Sequence, residues 1–91
     1  MELLKLDKQM LVLMELYNRH EQGDPLYKYD LAKRLDITYS HTVKVLELFS
    51  DNGLVRFEKE GRNKYIYLTK SGRRLGFSLL TYINVKEGII P

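Results

Sequence analysis

Two runs of helix-spaced apolar residues, separated by a three-residue turn, constrain this chain more than any other feature. They stand in the stretch LAKRLDITYSHTVKVLELFSDNGLV, residues 31–55. Asp36 tolerates left-handed backbone angles and Thr38 is a good helix N-cap, so the segment between the runs is predicted to be a tight turn. A short helix at about 30–35 precedes this turn, and a longer helix at about 39–51 follows it and ends at an Asn-Gly pair.

A first helix precedes this unit. Asp7 is predicted to cap it, and it ends near Glu21, because a Gly-Asp-Pro sequence follows. Its core stripe is predicted to consist of Met10, Leu13, Met14 and Tyr17. Three more apolar residues lie outside that stripe and imply a second buried contact: Leu11, Val12 and Leu16. A short extended piece, LYKY, then leads to the second helix.

The hydrophobic period changes from helical to two after Gly53. LVRFEKE and KYIYLT alternate and flank a polar tip at 60–63, which predicts a β-hairpin with Ile66 and Leu68 on one face and Tyr65 and Tyr67 on the other. Thr69 is placed to cap a last helix. The predicted stripe of that helix is Leu75, Leu79, Tyr82 and Ile83. Gly72 and Gly76 argue against its first turns, since glycine costs about 1 kcal/mol relative to alanine inside a helix.

Composition excludes several classes of function. The 91 residues suit one domain, and no apolar run approaches the roughly 20 residues of a membrane-spanning helix. There is no cysteine, the two histidines lie far apart in the sequence, and there is no glycine-rich phosphate loop. We therefore expect an intracellular protein that is not an enzyme, with no catalytic residues, no cofactor, no metal site and no evident small-molecule ligand.

The positive charge of the chain is concentrated in its second part. Residues 1–53 hold seven Lys/Arg and nine Asp/Glu, a balance of 7 − 9 = −2, whereas residues 54–91 hold eight and three, a balance of 8 − 3 = +5. Such a distribution suits a polyanionic partner, although it is as often only a solvated surface.

The order helix, helix, turn, helix, hairpin, helix resembles the winged helix-turn-helix proteins over nearly the whole chain. The central stretch 31–55 is similar to small regulators of the MarR and ArsR type, particularly compact archaeal and archaeal-viral ones, and LTKSGRRLG resembles the segment after their wing. Asp36 stands where glycine is common in the motif, and Thr42 where an aliphatic residue is more usual. The resemblance implies an α+β fold with a three-helix core, a two-stranded β wing and a C-terminal helix. The single domain, 1–91, divides into a helix-turn-helix at about 29–52, a wing at about 54–69 and a C-terminal helix at about 70–87.

The resemblance also implies how the third helix is oriented. Its buried face would be Thr42, Val45, Leu46 and Phe49, so the polar start of the helix turns outward to the major groove of double-stranded DNA, while the wing meets the backbone or the minor groove. Sequence-specific DNA binding by a transcriptional regulator is the function implied. The predicted DNA-binding residues are Thr38, Tyr39, Ser40, His41, Lys44, Arg56, Lys59, Arg62, Asn63, Lys64 and Lys28. Lys33, Arg34, Arg73 and Arg74 are weaker candidates for phosphate contacts.

Alternatives remain open for individual residues. His41 is also consistent with a solvated or capping histidine, Tyr39 with a ring packed on its own domain, and Arg62 with a solvated hairpin tip. For Arg73 and Arg74 a surface or intramolecular role is favoured.

Two further expectations concern partners. The excess apolar residues of the first and last helices favour a homodimer seam over a thicker monomer core, and a two-fold dimer predicts an inverted-repeat operator. The residues assigned to this seam are Leu3, Leu4, Leu11, Leu16, Phe77, Leu80 and Ile83. The alternative function is a winged-helix protein-interaction module of transcription or replication machinery, since a fold alone does not determine a function.

Overall fold

The computed structural model describes residues 7–86 and Gly88. It contains four helices and three strands over these residues. In chain order they are α1 (Lys8–Gln22), β1 (Leu26–Tyr27), α2 (Lys28–Leu35), α3 (Tyr39–Asp51), β2 (Val55–Glu60), β3 (Asn63–Leu68) and α4 (Lys70–Lys86). Of the residues assigned to the dimer seam, Leu3 and Leu4 lie outside the described part. Among the described residues, no helix has the length and apolar character needed to cross a bilayer.

The predicted α+β winged-helix architecture is confirmed, with one addition to the sheet. The strands are antiparallel in the order β1-β3-β2, and the hairpin pairs from Val55 with Leu68 to Glu60 with Asn63. The short strand β1 was predicted only as an extended piece, but it pairs with β3 through Leu26 and Ile66. The helix α2 begins two residues earlier than predicted, directly after this strand, and no side-chain hydrogen bond caps it.

The turn between α2 and α3 has the predicted chemistry. Asp36 adopts φ 53° and ψ 46°, the left-handed conformation, and its backbone N–H donates to the end of α2. Thr38 caps α3, because its Oγ1 accepts from the His41 backbone N–H at 3.1 Å. The fully buried Thr42 donates its hydroxyl to the Thr38 carbonyl at 3.0 Å, which satisfies a polar group that burial would otherwise penalise.

The core corrects the prediction for α1. Val12 is fully buried and Leu16 is 3% exposed, whereas Met10 and Met14 are only partly buried. The second contact implied by the extra apolar residues is therefore made within the same domain, where α1 packs against both α4 and β3. Placing Leu16 in a dimer seam was wrong, because it lies in the domain's own core.

The glycines of α4 permit close packing. A Cβ added at Gly72 would lie 2.0 Å from the Leu54 carbonyl oxygen, and one at Gly76 would lie 2.8 Å from Cδ2 of Tyr17. Both glycines are buried, so they bring α4 against the base of β2 and against α1 and do not interrupt the helix. Thr69 caps α4 as predicted, since its Oγ1 accepts from the Gly72 N–H at 3.1 Å. The predicted stripe was wrong at Leu75, which is 46% exposed.

Candidate nucleic-acid interface

The start of α3 presents polar side chains to solvent. Tyr39 is 53% exposed, and Ser40 and Lys44 are exposed as well, opposite the buried face of the helix. That face consists of the predicted Thr42, Val45, Leu46 and Phe49. His41 differs from its predicted companions, because it is half-buried and lines a pocket of about 240 Å³ with Asp7, Lys8 and Gln9 of the α1 start.

The electrostatics at this helix end favour an anion. The first N–H groups of a helix lack intrahelical partners and carry a partial positive charge. The Thr38 side chain accepts from one of these groups. Lys44 lies one turn further along, and its ammonium forms no ion pair within residues 7–86. The start of α3 therefore carries positive charge, and no ion pair of the described residues engages Lys44 there.

The hairpin is paired up to its tip. The last cross-strand pair is Glu60 with Asn63, which leaves Gly61 and Arg62 as a two-residue turn, shorter than the four-residue tip that was predicted. Gly61 has φ 62°, a conformation that glycine adopts without strain. Arg62 and Asn63 are exposed, and the guanidinium has no ion-pair partner in the described part of the chain.

One side of the hairpin, together with the start of α2, forms what we call the lysine face: Lys28, Lys59 and Lys64. Lys59 and Lys64 are direct cross-strand partners. The ammonium groups of Lys28 and Lys64 lie 5.1 and 5.2 Å from the centroid of the Phe57 ring. Like charges directly opposite each other destabilise a sheet, so a bound phosphate would relieve repulsion here.

The other side of the hairpin, which we call the acidic face, holds Arg56, Glu58 and Glu60. Arg56 pairs with Glu58, and its guanidinium lies 4.7 Å from the ring centroid of Tyr67. The Tyr67 hydroxyl donates to Oε1 of Glu60 at 3.3 Å. Burial raises the pKa of the Tyr67 phenol, and Glu60 and Glu58 raise it further. The structure thus separates Arg56 from the lysines with which it was predicted to act.

The weaker candidates lie elsewhere. Arg34 donates from Nε to Oε1 of Glu15 at 2.9 Å, so its charge is engaged with α1. Arg73 lies against His20, with 3.4 Å between Nη1 and Nε2, which agrees with the intramolecular role that was favoured. The start of α4 adjoins the far end of α3, since Thr69 donates to the Gly53 carbonyl. Arg73 and Arg74 are therefore remote from the exposed start of α3.

Two acidic residues of α3 were not considered from the sequence. Ser40, Lys44, Glu47 and Asp51 follow one another at intervals of four, three and four residues, and all four are exposed. This spacing places them along one line of the helix, opposite the buried face. This spacing is visible in the sequence, but the predicted DNA contacts of α3 were only cations, hydroxyls and rings of its first turns.

Known proteins resemble this chain mainly in their fold. No protein-family model matches the chain. An uncharacterized protein of Archaeoglobus fulgidus is 27% identical over 86 residues, which cover 94% of this chain and 90% of that protein. The crystal structure of AF1382 from A. fulgidus superposes with a TM-score of 0.86 at 26% identity, covering 92% of each chain.

A characterised bacterial regulator has the same fold. MepR, a transcription regulator of the Staphylococcus aureus multidrug efflux pump MepA, superposes with a TM-score of 0.81 at 27% identity. The match covers 91% of this chain but only 61% of MepR. The S. aureus MepR–DNA complex superposes with a TM-score of 0.78 at 24% identity over 93% of this chain and 62% of that one. The fold is that of winged-helix transcription regulators of the MarR type.

Proposed function

We propose that this protein binds double-stranded DNA sequence-specifically and regulates transcription, with the start of α3 in the major groove and the wing on the backbone or in the minor groove. The observation that carries the proposal is the exposed polar start of α3 and the lysine face on a winged-helix frame shared with MepR, a regulator solved in complex with DNA.

The residues at the start of α3 have separate roles in this proposal. Ser40 and Lys44 point directly away from the core, so their side chains reach base edges and phosphates first. The free backbone amides at the helix start bind a phosphate. Tyr39 and His41 flank this line, and the half-buried His41 has less freedom to reach a base than Tyr39. Thr38 acts mainly through its capping bond.

The wing contributes phosphate contacts. Among the described residues, the cations of the lysine face form no ion pair with a carboxylate, and Arg62 extends the positive charge to the tip. Asn63 is exposed beside it and can donate or accept a hydrogen bond. Arg56 is the weakest of the predicted wing contacts, because Glu58 already neutralises it.

A homodimer through α1 and α4 is part of the proposal. Leu11 on α1 is 40% exposed, and on α4 Leu75, Phe77 and Val85 are 46%, 60% and 53% exposed. Large apolar side chains left in water on two packed helices favour association. Two-fold symmetry would set two copies of α3 on successive major grooves, about 34 Å apart, on an inverted repeat.

Selection of bound duplexes from a random pool tests DNA binding, sequence preference and half-site spacing together. We expect an inverted repeat, and an affinity for the selected duplex that falls steeply as salt rises, since phosphate contacts release counterions. Lys44→Ala and Arg62→Ala should weaken binding without loss of the fold, whereas changes at Ser40 or His41 should alter the preferred sequence. If no binding to duplex DNA is detected at low salt, or if the affinity does not change as salt rises, the proposal is contradicted and the protein-interaction module is favoured.

Light scattering after gel filtration tests the dimer. We expect the wild type to be dimeric at micromolar concentration and Phe77→Asp to be monomeric, because a charge would be buried in the seam. Tyr29→Asp is the matched control, since Tyr29 is 63% exposed but lies on α2. If the wild type is monomeric, or if the two variants have the same molar mass, the proposed dimer seam is contradicted.

A further inference from the structure

The outward line of α3 changes its charge along the helix. Its first half carries Ser40 and Lys44, and its second half carries Glu47 and Asp51. The helix dipole adds in the same sense, because it is positive at the start and negative at the end. A uniformly basic helix can lie along a groove over its full length. The charge pattern of α3 favours contact with DNA at its start and disfavours contact at its end, so the helix would cross the groove at an incline with its start nearest the bases.

The side chain of Glu47 is available to a partner. It is exposed, and within residues 7–86 and Gly88 its carboxylate forms neither an ion pair nor a hydrogen bond. Lys44 lies three residues before it on the same surface, a spacing that often gives an ion pair, yet the two groups are not paired. Both charges therefore point into solvent on the side proposed to meet DNA.

The length of the helix separates Glu47 from Asp51. With a rise of about 1.5 Å per residue, Glu47 lies about 10 Å beyond Ser40 along the axis, and Asp51 about 17 Å beyond it. The major groove is about 12 Å wide. Helical side chains also lean toward the helix start, which brings the Glu47 carboxylate nearer to the bases. For a helix that crosses the groove with Ser40 at the bases, Glu47 would lie within the groove width and Asp51 at or beyond its edge.

We propose that Glu47 is a specificity-determining residue whose carboxylate accepts a hydrogen bond from the N4 amino group of a cytosine in the major groove. This inference rests on the proposed DNA-binding function. A carboxylate is an acceptor only, and among the major-groove edges the cytosine edge offers a donor without a neighbouring acceptor on the same base. Guanine and thymine oxygens repel it.

The same carboxylate lowers affinity for all other sequences. Near phosphates an unpaired negative charge is repelled, and in a groove without a cytosine donor it also loses water without compensation. At a cytosine the hydrogen bond offsets both costs. Glu47 therefore increases the difference in affinity between duplexes with the cytosine and duplexes without it, because it weakens non-specific binding more than specific binding.

The experiment compares Glu47→Gln with Asp51→Asn, two variants that remove one negative charge from the same line of α3. Duplexes are selected from a random pool by the wild type and by each variant, and the affinities of the wild-type consensus and its single-base-pair changes are then measured at one salt concentration. The wild type should prefer a C·G pair at one position of each half-site, by about fivefold or more over the alternatives. Glu47→Gln should lose that preference or move it to adenine, which glutamine pairs well, and should bind non-consensus duplexes more tightly. Asp51→Asn should keep the wild-type consensus.

The outcomes separate the inference from the function on which it rests. If the wild type selects no duplex, the proposed function fails and the role of Glu47 fails with it. If the wild type selects a consensus that Glu47→Gln shares at every position, DNA binding stands and the inference is overturned, even when affinity rises. A change of consensus in Asp51→Asn equal to that in Glu47→Gln would overturn it as well, because the effect would then be one of net charge. Circular dichroism and thermal unfolding establish that all three proteins are equally folded.

Discussion

The two faces of the wing differ in electrostatic character, because the lysine face holds three lysines and the acidic face holds one arginine with two glutamates. On the lysine face, Lys59 and Lys64 stand opposite each other and Lys64 lies over the Phe57 ring, with no carboxylate to pair with them among the described residues. On the acidic face, Arg56 is paired with Glu58 and stacked on Tyr67, which also bonds Glu60. Strand alternation sorts neighbouring charges to opposite sides. The wing as a whole holds four cations and two carboxylates, a balance of 4 − 2 = +2, and this excess comes from the lysine face and the Arg62 tip, not from the acidic face.

The largest effect is expected from disrupting the contact of α4 with the bases of β2 and β3, which positions both faces of the wing. Gly72→Ala would place a methyl group 2.0 Å from the Leu54 carbonyl oxygen and 3.0 Å from Cδ2 of Leu68, at the bases of β2 and β3. We expect the free energy of unfolding to fall by about 3 kcal/mol, measured by urea denaturation, because a backbone carbonyl cannot move aside as a flexible side chain can.

Ser71→Ala is the control for this substitution. Ser71 is exposed and adjacent in α4, so the change should stay within about 0.5 kcal/mol. Equal stability of the two variants would show that α4 is not held at the contact with Leu54.

The next largest effect is expected from the lysine face itself. Lys59→Ala combined with Lys64→Ala removes two proposed phosphate contacts, so the slope of log affinity against log salt should become less steep by about 2. At about 0.1 M salt this corresponds to a loss of roughly a hundredfold in affinity, measured by fluorescence anisotropy with the selected duplex.

Lys70→Ala combined with Arg74→Ala is matched to this variant in net charge. Both residues lie at the start of α4, away from the start of α3, so the salt slope should change little. A similar loss in both double variants would mean that overall charge, and not the lysine face, governs binding.

The elements of the fold were predictable from the sequence because local chemistry determines them. The Asp36 turn, the Thr38 cap, the end of α3 and the alternation of β3 each follow from a few adjacent residues. The contribution of α1 was not predictable in the same way, because the packing of Val12 and Leu16 depends on how α4 and β3 are placed. The packing role of Gly72 and Gly76 was not predictable either, since helix propensity cannot indicate that Leu54 and Tyr17 approach these glycines closely.

The same distinction between local chemistry and packing applies to the candidate site. Exposure of Ser40 and Lys44 follows from the helical period once the buried face is known, and it was predicted. The half-burial of His41 beside the start of α1 and the pairing of Arg56 with Glu58 depend on contacts beyond a single helix face. Lys28 was predicted as a separate contact, but only the pairing of β1 with β3 and the ring of Phe57 join it to Lys64.

A single substitution at Lys28 tests whether the lysine face extends beyond the hairpin. Lys28→Ala should reduce the salt slope by about 1 and the affinity by roughly tenfold at about 0.1 M salt, uniformly across sequences, because one phosphate contact is lost. The measurement is the same titration with the selected duplex and with a scrambled one. Lys70→Ala is the control, since Lys70 is exposed at the start of α4, away from the start of α3. An unchanged slope in Lys28→Ala would restrict the lysine face to Lys59 and Lys64.

A smaller effect is expected on the acidic face. Arg56→Ala removes a cation but one already neutralised by Glu58, so the affinity for DNA should fall less than about threefold. The salt titration distinguishes this outcome from a loss comparable to that in Lys28→Ala, which would show that Arg56 leaves Glu58 and contacts a phosphate.

The smallest expected effect concerns the pH dependence of the acidic face. Burial raises the pKa of the Tyr67 phenol above its ordinary value of 10, with Glu60 as the next cause. Since the folded-state pKa is the higher one, the phenol of the unfolded chain ionises first as pH rises. The stabilising contribution is therefore present below pH 10 and is lost as pH rises through the folded-state value.

Glu60→Gln should lower the pKa of Tyr67 without returning it to the ordinary value, because burial remains. Carbon-13 chemical shifts of the Tyr67 ring against pH measure this, with the signal assigned by Tyr67→Phe. An unchanged titration in Glu60→Gln would mean that the hydrogen bond to Glu60 does not persist in solution, and the acidic face would then rest on Arg56 and Glu58 alone.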